Sequence, residues 1–352
     1  MHAIARLLDD ALASDLGSAA AVSVGDAGVE VFRHVAGFTR RVPDRGEPVT
    51  DDTPFDIASV TKPMATVAIA MVLVAERALD LDAPVRTYLP GASTTGTVAQ
   101  LLGHSAGCAA HVEFFRRLRA ERPADPRARI IDLACAERTD PPGVAAVYSD
   151  LGFLQLGAVL ERAGRQPLPV LFDRMVARPL ALRARYATSP IAGAVATELD
   201  ERGLVCGIVH DENCYEGGGA LGHAGLFASI DDVSRFAAAI VSAAAGLARG
   251  GFEPAVVQRF FTTAPLPTAS WRLGWDTPST TPGVSQVGDK WPRANAVGHT
   301  GFTGTSLWLD LTNRRWVALL TNRVHPTRFG TTADRIKQLR RAVHDAVVDA
   351  LA

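Results

Sequence analysis

The chain has 352 residues, 47% hydrophobic and 21% charged, with a formal net charge of −1. That length suits one composite domain or two closely packed ones with a large core. The near-zero charge offers nothing to draw nucleic acid or an anionic membrane, and the three lysines among 36 basic residues mark an arginine bias rather than a binding patch.

Residues 2–14 carry Ile4, Leu7, Leu8, Ala11 and Leu12 at helical spacing. No charged segment leads into an apolar one there, as an export signal would require. Met64 to Ala75 is shorter than the roughly 18 apolar residues of a membrane span. A cytoplasmic protein with no membrane partner is therefore expected. Residues 19–24 and 29–35 alternate as strands around Gly25-Asp26-Ala27-Gly28, a hairpin signal. A turn-rich excursion over 42–52 then leads to the apolar helix that follows Phe55-Asp56-Ile57-Ala58-Ser59-Val60-Thr61-Lys62.

From Leu81 onward the pattern is helical: a short helix at 98–102, charged helices over 111–139 broken near Pro123 to Pro126, and further helices at 150–163 and 167–177. No strands are read between about 80 and 215. Strands return at 305–310 and 315–321, joined by Leu311-Thr312-Asn313-Arg314. Residues 332–351 form a terminal helix with Ile336, Leu339, Val343, Val347 and Leu351 on one face. The fold class expected is α/β (α+β): an antiparallel sheet flanked by helices, from residues 1–80 and 215–352, with a mainly helical region at 81–214. Cys108, Cys135, Cys206 and Cys214 form no Cys-x-x-Cys pair, so free thiols are expected rather than disulfides or a metal site.

Chemistry concentrates at Ser59 and Lys62. Three residues apart on a helix, they share a face. A serine hydroxyl becomes a nucleophile when a base lies within hydrogen-bond reach, and a lysine buried in apolar surroundings loses its proton more readily. Fifteen serines and three lysines placed at random would give roughly 0.1 Ser-x-x-Lys matches, and this chain has one. On the local sequence alone, an N-cap serine followed by an incidental lysine is an equal reading.

Two further stretches change the balance: Val147-Tyr148-Ser149-Asp150, and Gly298-His299-Thr300-Gly301-Phe302-Thr303-Gly304 entering the penultimate strand. With them, nearly the whole chain resembles the serine β-lactamase and penicillin-binding-protein superfamily, in particular class C β-lactamases and their esterase-like relatives. Arg272-Leu273-Gly274-Trp275 and residues 220–227 are similar to recurring stretches of those relatives. The resemblance implies a β-lactamase/transpeptidase-like fold, Ser59 as the acylated nucleophile, Lys62 accepting or relaying its proton, and Tyr148 touching both. It also implies an oxyanion hole from the backbone N–H groups of Ser59 and Phe302, with Thr300 and Gly301 in support. No cofactor or metal is implied, and the partner is a small acyl substrate.

Two positions depart from that pattern. Asp150 stands where class C enzymes have asparagine; as a carboxylate near Lys62 it favours the ammonium and makes a poorer base, so Lys62 and Tyr148 both stay open as the principal base. Asp150 reads equally as the N-cap of the helix beginning at Leu151. His299 stands where the β-lactamases have lysine, which removes a permanent cation and admits neutral esters or amides.

Weaker features are His210-Asp211-Glu212-Asn213-Cys214 with His223, which lacks metal-ligand spacing and reads as a loop at the cleft rim. His104 reads as a structural brace. Trp291, in the loop over 277–297, is a candidate for lining an acyl pocket, and Trp308 for strand packing. The function expected is a serine hydrolase of small esters or amides. The alternatives are a D-alanyl-D-alanine carboxypeptidase, a β-lactamase, an acyltransferase, or a silent ligand-binding protein on the same scaffold.

Overall fold

A computed structural model describes residues 1–281 and 283–352; the loop read over 277–297 is described apart from residue 282. The central sheet has five antiparallel strands, β1 (Ala19–Asp26), β2 (Val29–Gly37), β3 (Ala296–Thr300), β4 (Ser306–Asp310) and β5 (Arg315–Thr321), in the order β2-β1-β5-β4-β3. The first hairpin and the last are joined through the β1–β5 pair, with Ala20 opposite Thr321 and Val24 opposite Val317. The two ends of the chain thus build one sheet, as expected from sequence. The 298–304 motif leads into the penultimate strand β4 as expected, but its first residues also close a strand not read from sequence, the edge strand β3 paired with β4.

Because side chains alternate across a strand, β1 feeds two cores. Ala20, Val22 and Val24 face α1 (His2–Ala13) and α5 (Thr332–Leu351), meeting Ile4, Leu8, Ile336, Leu339, Val343 and Val347. Ala19 and Ala21 face the larger core, which contains α4 (Ile230–Ala244) and extends through the helical region. Here the sequence reading is corrected. Residues 80–215 contain strands at Arg185–Tyr186, Ala196–Asp200 and Gly203–Cys206, the first of which joins a small sheet with Phe55–Asp56 and Leu226–Ala228. These segments are too short to show a convincing period-2 pattern.

The segment after Phe55–Asp56 is a 3-10 turn at Ala58–Val60, a π-helical stretch at Lys62–Val67 and α2 (Ala68–Ala75). Over Ala58–Ala75 it is long and apolar enough to cross a bilayer, contrary to the expectation from Met64 to Ala75, but it packs inside the protein. Its other face meets α3 (Asp150–Gly164). Trp308 packs in the strand core as expected. Trp291 does not line the cleft: it lies in the core behind the sheet, edge-on to His344 at 5.0 Å.

His344 is wholly buried, with Nδ1 2.7 Å from the Arg340 carbonyl oxygen. Burial pushes its pKa down to about 4. The unfolded chain takes up that proton near pH ~6.5, so the stability His344 contributes is complete above that pH and is lost as pH falls toward about 4. Urea midpoints at pH 7 and pH 5 should differ less in a His344→Gln variant than in the wild type.

Candidate active site

The nucleophile candidate is presented by a strained turn. Ala58 has φ +48°, an uncommon conformation for a residue with a side chain. The buried Asp56 carboxylate holds it, accepting the Ala58 N–H at 2.8 Å and the His210 N–H at 2.8 Å. Thr61 and Pro63 follow, the proline tolerated because the first helical turn has no use for its missing donor. Ser59 therefore faces the cavity while Lys62, fully buried, lies one turn behind it.

Three elements converge on Lys62. Its Nζ donates to Ser59 Oγ at 3.0 Å, to Asp150 Oδ1 at 2.8 Å and to the His223 carbonyl at 3.1 Å. Three acceptors around one nitrogen engage all three protons of an ammonium. Burial alone would lower the lysine pKa, but the Asp150 carboxylate outweighs it and holds the group above its ordinary value. The ion pair acts in the direction expected of a carboxylate at position 150, favouring the ammonium over the free base that burial alone would give. Asp150 is in turn held well below the usual carboxylate range against its own burial, chiefly by Lys62. Asp150 is also not the helix cap: Ser149 caps α3, its Oγ accepting the Gly152 N–H at 2.9 Å, which leaves the Asp150 side chain free to reach inward.

The position of His223 depends on Gly222, where any Cβ would collide with the Phe153 carbonyl of α3. Thr66 Oγ1 donates to the Gly222 carbonyl at 2.6 Å and pins that loop to the nucleophile helix. Tyr148 Oη lies 2.8 Å from Ser59 Oγ. Its ring packs against His104 (4.8 Å) and Trp271 (5.5 Å), and burial pushes its pKa up, so the neutral phenol is favoured. His104 braces this motif by accepting the Ser149 N–H on Nδ1 at 3.0 Å.

The opposite wall is the turn after β3. Thr303 Oγ1 donates to the Asp56 carbonyl at 2.9 Å and Thr305 Oγ1 to the Ile57 carbonyl at 2.8 Å, so the turn is stitched to the segment preceding Ser59. Gly301 is required there: a Cβ would collide with Thr305 Oγ1. Among the described residues the backbone N–H groups of Ser59 and Phe302 have no hydrogen-bond partner, which suits donors for an oxyanion. His299 is buried; Nδ1 donates to the Thr300 carbonyl at 2.8 Å, leaving Nε2 as an unpartnered acceptor. Burial, with help from the Lys62 charge, lowers its pKa to about 3, so it carries no charge at neutral pH.

Ser59, Tyr148, Asp150, His299, Thr300, Gly301 and Phe302 all line one cavity of about 600 Å³. Several groups that line or hold the site were not singled out from sequence. Trp271, rather than Trp291, is the tryptophan at the site. Asp56 sits three residues before Ser59, a spacing that could have suggested a turn-holding carboxylate. His111 and Arg323 stand alone in sequence, without a motif to mark them. The rim segment holds Asp211 and Glu212, with His223 Nε2 2.9 Å from Asp211 Oδ1 and His210 Nε2 2.9 Å from Glu198 Oε2. Among the described residues, no three His, Cys, Asp or Glu side chains are placed to hold a metal.

The family model described as Beta-lactamase matches residues 4–341. A protein of Escherichia coli (strain K12) named "Putative D-alanyl-D-alanine carboxypeptidase" is 27% identical over 317 residues, covering 78% of this chain and 70% of that protein. An N-acetylmuramyl-L-alanine amidase of Bacillus subtilis (strain 168) is 28% identical over 307 residues, covering 78% and 68%. Among solved structures, SurE has a TM-score of 0.74 and 25% identity, over 99% of this chain and 76% of that one. A class C beta lactamase from Rhodobacter sphaeroides has the same fold, with a TM-score of 0.73 and 18% identity over 100% of both chains.

Thr303→Val keeps the side-chain shape but leaves the Asp56 carbonyl without its partner. Denaturant unfolding should show a loss of about 1–3 kcal/mol; a midpoint equal to the wild type would show that the tether carries no stability.

Proposed function

The chain belongs to the beta-lactamase family, a family of serine hydrolases, and on that premise we propose that it hydrolyses small esters or amides through an acyl-enzyme on Ser59. The observation that carries this reading is the meeting of Lys62 Nζ and Tyr148 Oη on Ser59 Oγ, at 3.0 and 2.8 Å.

In the resting arrangement Lys62 has no lone pair to offer and Tyr148 is a neutral phenol. The reactive form is accordingly one proton poorer, and that proton is missing from the Lys62–Tyr148 pair as a unit. The vacancy takes the Ser59 proton as Oγ bonds to the substrate carbonyl carbon. The tetrahedral oxyanion accepts from the Ser59 and Phe302 N–H groups; losing one such donor costs about 100- to 1,000-fold in rate. The proton then passes to the leaving alcohol or amine as its bond to carbon breaks. Water repeats the sequence on the acyl-enzyme. The uncharged His299 leaves this wall suited to neutral acyl groups.

A second reading, a peptidase acting beside a free carboxylate, is favoured by Arg323. This guanidinium lines the cavity, 4.6 Å over the Phe302 ring, and among the described residues its side-chain hydrogen-bond partner is the Thr332 hydroxyl at 3.3 Å. Among the described residues it forms no ion pair, whereas neighbouring Arg328 is taken up by Glu198 and Glu212. The carboxypeptidase-named relative and the SurE complex with D-Leu point the same way.

Intact mass after a fluorophosphonate should show one adduct on the wild type and none on Ser59→Ala. An unlabelled wild type, or a Ser59→Ala variant cleaving a p-nitrophenyl ester at full rate, defeats the hydrolase reading. Arg323→Gln separates the two substrate classes. If the natural substrate carries a carboxylate, KM for a D-alanyl dipeptide rises about tenfold or more with loss of one charged contact, while KM for a neutral ester stays put.

A further inference from the structure

Asp150 has two oxygens, and the Lys62 ion pair takes up one. Oδ1 pairs with Lys62 at 2.8 Å; Oδ2 lies 3.4 Å from His111 Nδ1, at the cavity rim. This juxtaposition is built in by the backbone. The Asp150 N–H donates to the Ala110 carbonyl at 2.8 Å and Ser149 Oγ donates to the Ala109 carbonyl at 2.5 Å, so the strand of chain carrying His111 is fastened alongside the start of α3. His111 is nearly half exposed, so a buried ammonium, a carboxylate and a solvent-facing imidazole stand in line.

We propose that His111 is a positioning residue of the hydrolytic reaction: its imidazolium shares the Asp150 carboxylate, weakens that carboxylate's hold on the Lys62 ammonium, and so lets the Ser59–Lys62–Tyr148 cluster reach its reactive, proton-poor form. The proposal rests on Ser59 being the nucleophile. The charged groups facing His111 are Asp150, Asp211 and Glu212, with Glu113 two residues away. All are acidic, and Asp150 foremost holds the imidazole protonated above its ordinary range, against the effect of burial. A positive charge added beside the pair disfavours a second one on Lys62. Without His111, Asp150 acts on Lys62 alone, and the proton leaves only at higher pH. The asparagine typical of class C enzymes at position 150 would need no such counterweight, because it carries no charge.

The test is the pH profile of kcat/KM for a p-nitrophenyl ester in His111→Gln, His111→Lys and Asp150→Asn. Below the pH at which His111 loses its proton, kcat/KM of His111→Gln should fall roughly three- to tenfold short of the wild type, and the gap should close as pH rises; His111→Lys, which keeps a cation, should show little of that loss. Asp150→Asn should raise kcat/KM in the same low-pH range. Equal low-pH rates for His111→Gln and wild type, or equal losses in His111→Gln and His111→Lys, overturn the proposal. Fluorophosphonate labelling of each variant keeps the two readings apart: labelled proteins with no low-pH loss remove His111 alone, whereas an unlabelled wild type removes the nucleophile and His111 together.

Discussion

A buried ammonium organises this molecule. Taking a lysine amine out of water costs several kcal/mol unless a counter-charge and hydrogen bonds replace the lost hydration. Lys62 is wholly buried, and three separate segments supply what water would have given: the Ser59 turn, the first residue of α3 and the loop at His223. None of those segments can drift without uncovering a charge in the core. The requirement for three acceptors therefore fixes the relative placement of the Ser59 segment, α3 and the 220–225 loop, and the cavity opens where they meet.

The second wall is fixed from the other side of the sheet. Arg340, on the terminal helix α5, sends Nη2 to the Gly301 carbonyl at 3.0 Å and the Thr305 carbonyl at 2.8 Å. The turn that presents the Phe302 N–H is thus held from behind by α5 and from the front by Thr303 and Thr305. This links the two cores on either side of the sheet to one cavity wall. It also ties the helix at 332–351 to a cavity whose opposite wall carries Ser59.

Relative to the family pattern, the two substitutions at 150 and 299 alter charge without altering architecture. Aspartate at 150 converts a neutral neighbour of Lys62 into a tight ion pair. Histidine at 299, buried and uncharged, removes a cation from the edge strand, and Arg323, over the Phe302 ring and without an ion pair among the described residues, supplies one to the cavity just after β5.

The terminal hairpins, the amphipathic α1 and α5, and the Ser59, Tyr148 and His299 motifs were legible in the sequence, because periodicity, turn chemistry and short spacings are local properties. The short strands at 185–186, 196–200 and 203–206 were not, since so few residues carry no readable alternation and owe their form to pairing partners distant in the chain. The two readings left open for Asp150 were resolved by neighbours: Ser149 occupies the cap, and Lys62, 88 positions away, claims the carboxylate. Trp271 replaced Trp291 at the site, and His111, Arg323 and Arg340 entered it unannounced, because nothing in a linear string states which distant side chains a fold will set face to face. Sequence alone determined which groups are available to react. Tertiary structure decided their protonation, because a buried group's charge depends on what surrounds it, and those surroundings come from every part of the chain.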